Sequence, residues 1–304
     1  MSPVEPPVRV ALALSVRTLP RGPGLAYEPK FDGHRMVVLR TVGAVSLQAR
    51  SGRTVTAAFP DLVAAARALP AGTVLDGEVV VWHEGRTDFA LVQRRAAATP
   101  ARAAALARTL PASYAAFDVL ALAGLDVRAR PYEHRRALLV DLLTPLGPPL
   151  QPVPMTTDPE LAEAWYETLP ASGIEGLVVK RLDQPYPSGR RSWRKLRHTS
   201  VRDAAVIGYT GTARRPQALV LLLPGEDEET PLLSSPLPPA LRADLTAALR
   251  TSPRPAAAPP GPPLTVTGLG ETPYTPLDPP LTAEVRHTST RHPPPEVLRL
   301  RTDL

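Results

Sequence analysis

The chain has 304 residues and a mass of 32.6 kDa, a length that suits about two domains with separate cores. Its 43% apolar and 21% charged residues give a globular composition, and the absence of cysteine excludes disulfides, thiolate-bound zinc and thiol nucleophiles. No apolar run reaches the roughly 18 residues of a membrane span, the six histidines form no zinc-ligand pattern, and a net charge of +6 with a pI near 10.0 suits a polyanionic partner such as nucleic acid.

Residues 8–16 are mostly apolar but short and end at Arg17 without a convincing cleavage site. They read as an entry strand, and the protein is expected in the cytoplasm with no membrane contact. Two β-rich runs, 35–40 and 45–47, flank a turn-like region around Gly43 and predict antiparallel strands, with Lys30 in a turn just ahead of them. Alanine content predicts helices over 63–69 and 101–110, and apolar runs predict buried strands over 79–82 and 114–122. Helices over 132–143 and 159–169 follow, then an apolar strand over 176–180. After His198 the character changes. Strands are expected over 204–211 and 218–223, an amphipathic helix over 239–250, a Pro/Ala loop over 252–263, and strands over 282–286 and 297–301. The pattern is that of a small barrel with one helix, so the domain boundary is placed at 198, giving domains 1–198 and 199–304.

Only Lys30, Lys180 and Lys195 are lysine, and the other 32 cationic side chains are arginine. Arginine stays protonated and does not readily attack an electrophile, whereas lysine loses its proton in a suitable site, so the three lysines are candidates for chemistry. A composition bias that left three lysines over accounts for the same count. Lys30 stands in Glu28-Pro29-Lys30-Phe31-Asp32-Gly33-His34-Arg35, which alone also reads as a solvated turn at Asp32-Gly33. Further along come Leu75-Asp76-Gly77-Glu78, then Phe117-Asp118 in an apolar strand, then Glu175-Gly176-Leu177-Val178-Val179-Lys180, then Trp193-Arg194-Lys195-Leu196-Arg197.

These five elements, in this order and at these separations, resemble the motifs of covalent nucleotidyltransferases, specifically ATP-dependent DNA ligases of the short bacterial two-domain type. Arg50-Ser51-Gly52 with Phe59-Pro60, residues 186–191, and the terminal Arg291-His292 and Leu298-Arg299-Leu300-Arg301-Thr302-Asp303 extend the resemblance over essentially the whole chain. Two departures are Leu304, where a basic residue is expected, and the proline-rich stretch 224–280, which matches weakly.

The resemblance implies an α+β chain: an antiparallel-sheet adenylation domain of the nucleotidyltransferase, ATP-grasp-like kind, then a small all-β OB-fold barrel. It implies that Lys30 attacks the α-phosphorus of ATP. A free lysine is neutral only about once in 2,500 molecules at pH 7, so such a site must depress its pKa, and Arg35, Lys180, Lys195 and a divalent metal would do so. Phe117 would stack on adenine and the Glu28-Pro29 segment would read its amino group. Glu78 would orient the ribose or the lysine. Arg50 would grip a terminal phosphate, Lys195 and Arg197 the nucleotide phosphates, and Arg299 and Arg301 the pyrophosphate. Glu175 and Asp32 would hold Mg2+ or Mn2+. The implied partner is nicked double-stranded DNA, sealed by a monomer in the nucleoid beside repair polymerases or end-binding proteins. An RNA ligase or capping-type nucleotidyltransferase shares the lysine chemistry, and a non-catalytic DNA-binding scaffold shares the barrel and the charge.

Overall fold

The structure is a computed structural model describing residues 4–223, 231–251, 264–266, 270–288 and 294–301. The chain divides into two units, Met1–His198 and Thr199–Leu304. In the first unit it runs through β1 (Leu12–Val16), β2 (Leu25–Phe31), β3 (His34–Arg40), β4 (Val45–Ala49), α1 (Pro60–Ala66), β5 (Thr73–His83), β6 (Arg86–Thr87), α2 (Phe89–Ala96) and α3 (Pro100–Thr109). It continues through β7 (Ala112–Leu122), β8 (Leu125–Asp126), α4 (Tyr132–Leu143), β9 (Leu150–Pro152), α5 (Pro159–Thr168), β10 (Ile174–Arg181) and β11 (Arg191–Arg197).

These strands form two sheets. One has the order β1-β11-β10-β2; the other has the order β4-β3-β5-β7-β8, with β6 beside β5 and β9 beside β7. All pairings are antiparallel except β1 with β11 and β7 with β9. Strand alternation explains how the second sheet is buried on both faces. On β3, Met36 and Val38 join a core with Leu62 of α1 and Leu139 of α4, while Val37 and Leu39 join a core with Val8, Val10, Tyr186 and Trp193. Helices thus cover one face and the first sheet packs on the other. The helices start at recognisable signals: Asp88 caps α2 by accepting from the Leu91 N–H at 3.1 Å, Asp158 caps α5 from the Glu160 N–H at 2.9 Å, and α1, α3 and α5 carry proline in the first turn.

The second unit contains β12 (Thr199–Thr212), β13 (Arg215–Leu222), β14 (Leu232–Leu233), α6 (Pro239–Thr251), β15 (Leu264–Val266), β16 (Gly270–Thr272), β17 (Thr275–Thr288) and β18 (Glu296–Arg301). Five strands pair in the order β14-β13-β12-β17-β18, and β15 pairs with β16. Leu241 and Leu245, one turn apart on α6, pack into the sheet's core with Val206, Leu219, Leu221 and Val285.

The structure corrects three local expectations. Lys30 lies in strand β2, and the turn begins only at Asp32. Helix α2 was not anticipated. Strand β17 begins seven residues before the expected 282: Pro279 and Pro280 fall where β12 pairing is interrupted between Leu281 and Pro276, pairing resumes at Pro276 and Thr275, and residues 282–286 carry the β18 ladder. The expected loop 252–263, Arg291-His292, Thr302-Asp303 and Leu304 lie outside the described residues. Among the described residues no helix is long and apolar enough to cross a membrane.

Candidate active site

Strand periodicity builds the site. On β11 every second residue, Arg191, Trp193, Lys195 and Arg197, points to one face; on β10 Val178 and Lys180 do so, and on β2 Glu28 and Lys30. The second sheet opposes them with Arg35 of β3, Glu78 of β5 and Phe117 of β7, and Arg50 follows β4. Between the sheets lies a cavity of about 340 Å³ lined by all of these residues, a volume within the usual range for small-molecule sites.

Register places Lys30 opposite Gly176 and Gly176 opposite Arg197. A Cβ on Gly176 would run into the Leu196 carbonyl, and its φ of +146° lies in a region that side chains rarely adopt, so glycine is needed here. The β10 ladder shifts register between Ile174 and Gly176, a bulge beside Glu175. The buried Glu175 carboxylate accepts a hydrogen bond from Lys30 Nζ, and its other oxygen lies 3.5 Å from Arg197 Nε. Burial, reinforced by Arg197 and Lys195 and opposed by Glu78 and Asp32, lowers the Lys30 ammonium to about 8. Burial, opposed by Lys30 and Arg35, raises the Glu78 carboxyl to about 7. Lys195 is also lowered, by burial and then by Arg197, Arg50 and Arg191.

Three residues expected to contact the ligand, Lys180, Glu28 and Arg35, line the cavity and also have partners within the protein. Lys180 Nζ donates to Glu28 Oε2 at 2.7 Å and to the Phe117 carbonyl at 2.8 Å, inside a cage of Trp193, Tyr132 and Phe117 rings at 4.3, 4.6 and 5.0 Å. The other Glu28 oxygen accepts from Tyr132 Oη. Arg35 is clamped bidentately by the buried Asp76, Nε to Oδ1 at 3.0 Å and Nη2 to Oδ2 at 2.6 Å, and donates to the Ala11 carbonyl at 2.5 Å. Tyr186 Oη donates to Asp76 at 2.5 Å and accepts from the Ala11 N–H at 2.9 Å.

The structure therefore brings Glu28, Lys30, Arg35, Arg50, Glu78, Phe117, Lys180, Lys195 and Arg197 to one cavity, with Glu175 touching two of them. Asp32, at the turn, acts electrostatically on Lys30, Glu78 and Arg197. Arg299 and Arg301 lie on β18 of the second unit. There Arg299 Nε pairs with Glu284 at 2.5 Å and Arg301 Nε with Asp203 at 3.1 Å. Sequence reading did not assign roles to Asp76, Tyr132, Tyr186 and Trp193. For Trp193 a signal existed, its place in the alternation Arg191, Trp193, Lys195, Arg197; its ring meets Phe117 edge-on at 5.8 Å.

The site is thus a slot lined by cationic side chains between two largely antiparallel sheets, with Lys30 among them. Residues 12–197 match the ATP-dependent DNA ligase domain family, and the chain belongs to that family. It is 40% identical over 208 residues to DNA ligase C2 of Mycolicibacterium smegmatis, covering 68% of this chain and 58% of that protein. It is 37% identical over 238 residues to DNA ligase C of Mycobacterium tuberculosis, covering 77% of this chain and 66% of that one. The chain thus spans about three-fifths to two-thirds of these relatives. Among solved structures, a mycobacterial DNA ligase D complexed with ATP and MES superposes with a TM-score of 0.56 at 28% identity, over 98% of this chain and 96% of that one. The expected fold class, antiparallel adenylation domain and OB-type barrel, agrees with these neighbours.

Proposed function

We propose that this protein is an ATP-dependent DNA ligase that seals nicks between a 5′-phosphate and a 3′-hydroxyl in duplex DNA, the first unit being its adenylation domain and the second its OB-fold domain. The observation that carries this reading is Lys30: a lysine lowered to about 8, in a cavity of nucleotide size, with Arg197 and Lys195 across the sheet. The neutral Nζ attacks the α-phosphorus of ATP, forming the P–N bond of lysyl-AMP as the bond to pyrophosphate breaks. The DNA 5′-phosphate oxygen next attacks the AMP phosphorus and releases Lys30. The 3′-hydroxyl then attacks the 5′-phosphate, loses its proton and expels AMP.

Phe117, held edge-on to Trp193, offers its ring to adenine. Because the Glu28 carboxylate is tied to Lys180 and Tyr132, that acid holds the pocket wall in place. Glu78 is suited to a ribose hydroxyl or to Lys30, and Arg50 to a terminal phosphate. Lys195 and Arg197 meet charge on the triphosphate.

Among the described residues no three His, Cys, Asp or Glu side chains converge as a self-sufficient metal site. Magnesium commonly binds through one or two carboxylates together with substrate phosphates, and Glu175 and Asp32 fit that donor set. When bound, the ion supplies charge neutralisation at the phosphates. Removal of Glu175 (Glu175→Ala) is expected to reduce magnesium-dependent adenylylation and sealing far more than nick binding; unchanged magnesium dependence in turnover excludes Glu175 from the ion. The monomeric state, the nucleoid location and work beside repair polymerases or end-binding proteins are part of the proposal and rest on the family resemblance.

The lysine's titration gives a pH dependence. Below about 8 Lys30 is mainly ammonium and has no lone pair, so the single-turnover adenylylation rate should rise about tenfold from pH 6 to pH 7 and level off above pH 8. A rate flat across this range contradicts the assignment.

If Arg299 and Arg301 orient the departing pyrophosphate, their joint replacement by alanine is expected to slow adenylylation of Lys30, whereas sealing of a preadenylylated nick, which expels no pyrophosphate, survives much better. Normal adenylylation with defective sealing would make these arginines a DNA clamp. The whole reading is tested by comparing labelling with ATP and GTP and sealing of DNA and RNA nicks: ATP and DNA are expected to prevail.

A further inference from the structure

Strand β11 delivers Arg197 to the site at its very end. β1 pairs with β11 only as far as Leu196, so at Arg197 the strand has a neighbour on one side alone, and the residue opposite it there is Gly176, which offers no side chain. His198 closes the first unit, and the next residue opens β12. Strand ends with so little pairing are the parts of a sheet that open most readily.

Tyr166, in the last turn of α5, ties this end down. Within a longer helix its carbonyl would accept from the N–H of residue 170, but that residue is Pro170, which has none. The His198 ring takes that place: Nε2 donates to the Tyr166 carbonyl at 2.5 Å, and the two rings stack with centroids 4.1 Å apart and planes at 18°. In return Tyr166 Oη donates to the Arg197 carbonyl at 3.0 Å. The His198 N–H donates to the Glu175 carbonyl at 2.8 Å. Tyr166 itself packs against the small core of Tyr27, Leu177 and Val179, so the tie runs to the framework of the first sheet.

Arg197 is one link from the nucleophile. Its Nε lies 3.5 Å from one Glu175 oxygen, and the other Glu175 oxygen accepts from Lys30 Nζ. A guanidinium that meets charge on the triphosphate as the bond to pyrophosphate breaks has little positional tolerance. We propose that Tyr166, with His198 stacked on it, is a positioning residue that acts through Arg197: it bolts the end of β11 so that the guanidinium keeps its place beside Lys30 and Glu175 during adenylylation. This rests on the ligase reading, which is scored first: absence of any adduct in the wild-type protein with ATP overturns that reading and the bolt with it.

Single-turnover adenylylation is then followed across ATP concentrations. Tyr166→Ala should lower the maximal rate about tenfold while the half-saturating ATP concentration stays within about twofold, the pattern of an interaction realised in the transition state. Tyr166→Phe, which keeps the ring and the helix carbonyl and loses only the bond to Arg197, should retain about a third of the rate, and it carries the test if Tyr166→Ala does not fold. In an Arg197→Ala protein nothing is left to position, so either Tyr166 substitution should slow the reaction by less than about twofold. Should Arg197→Ala form no measurable adduct, the split between maximal rate and half-saturation decides alone. Full speed of Tyr166→Ala, a loss confined to half-saturation, or the same loss with and without Arg197 would overturn the proposal, the last outcome making Tyr166 a general prop of the first unit.

Discussion

Replacement of Lys30 by arginine is expected to abolish the covalent AMP adduct although the positive charge is retained. At pH 8 about half of the Lys30 side chains are neutral, given a value of about 8, whereas a guanidinium is neutral in fewer than about one in 30,000 molecules. The loss in adenylylation should therefore exceed about a thousandfold and be read as absence of label on denatured protein. The charge pairing with Glu175 gives the variant a route to a folded site, because arginine also donates to a carboxylate. Nick binding should be kept. A normally adenylylated Lys30→Arg protein would remove Lys30 as nucleophile.

The second large effect is on stability. Arg135 is fully buried and grips the equally buried Asp118 through two hydrogen bonds, at 2.7 and 2.9 Å, while donating to the carbonyls of Arg130 at 2.5 Å and Gln184 at 2.9 Å. Truncating it as Arg135→Met leaves a buried carboxylate without its counter-ion, which costs about 3–5 kcal/mol. Urea unfolding should show this loss, and adding Asp118→Asn should restore part of it, because the stranded charge is then gone. A loss below about 1 kcal/mol would mean that the pair is not the anchor of this layer. The consequence reaches the site, since Asp118 follows Phe117, whose carbonyl holds Lys180 and whose ring lines the cavity.

Residue chemistry made much of the site legible before any geometry. In a chain where arginine carries nearly all positive charge, Lys30, Lys180 and Lys195 stand out, and all three line one cavity. Helix α4 was read at its observed limits because its leucines and arginines favour helix and Pro131 marks its start. Strand β2 was missed for the opposite reason: Pro29 and Asp32-Gly33 are local turn signals, and what makes the strand is pairing with β10, more than 140 residues away. Helix α2 carried both a cap signal at Asp88 and an amphipathic pattern, in a segment of only eight residues. The partners that hold the ligand-facing groups were hidden by distance along the chain. Tyr186 finds Asp76 across 110 residues and Tyr132 finds Glu28 across 104, and no local pattern encodes such pairings.

The central claim, covalent capture of AMP on Lys30, is tested most directly by incubating the protein with α-labelled ATP and magnesium, denaturing it, and mapping the label after trypsin digestion. Modification blocks cleavage after Lys30, so the account predicts label on the single peptide running from Gly22 to Arg35, with the acid lability and base stability of a P–N bond. Label on any other peptide, or a protein that carries no AMP after complete mixing with magnesium and ATP, would contradict it.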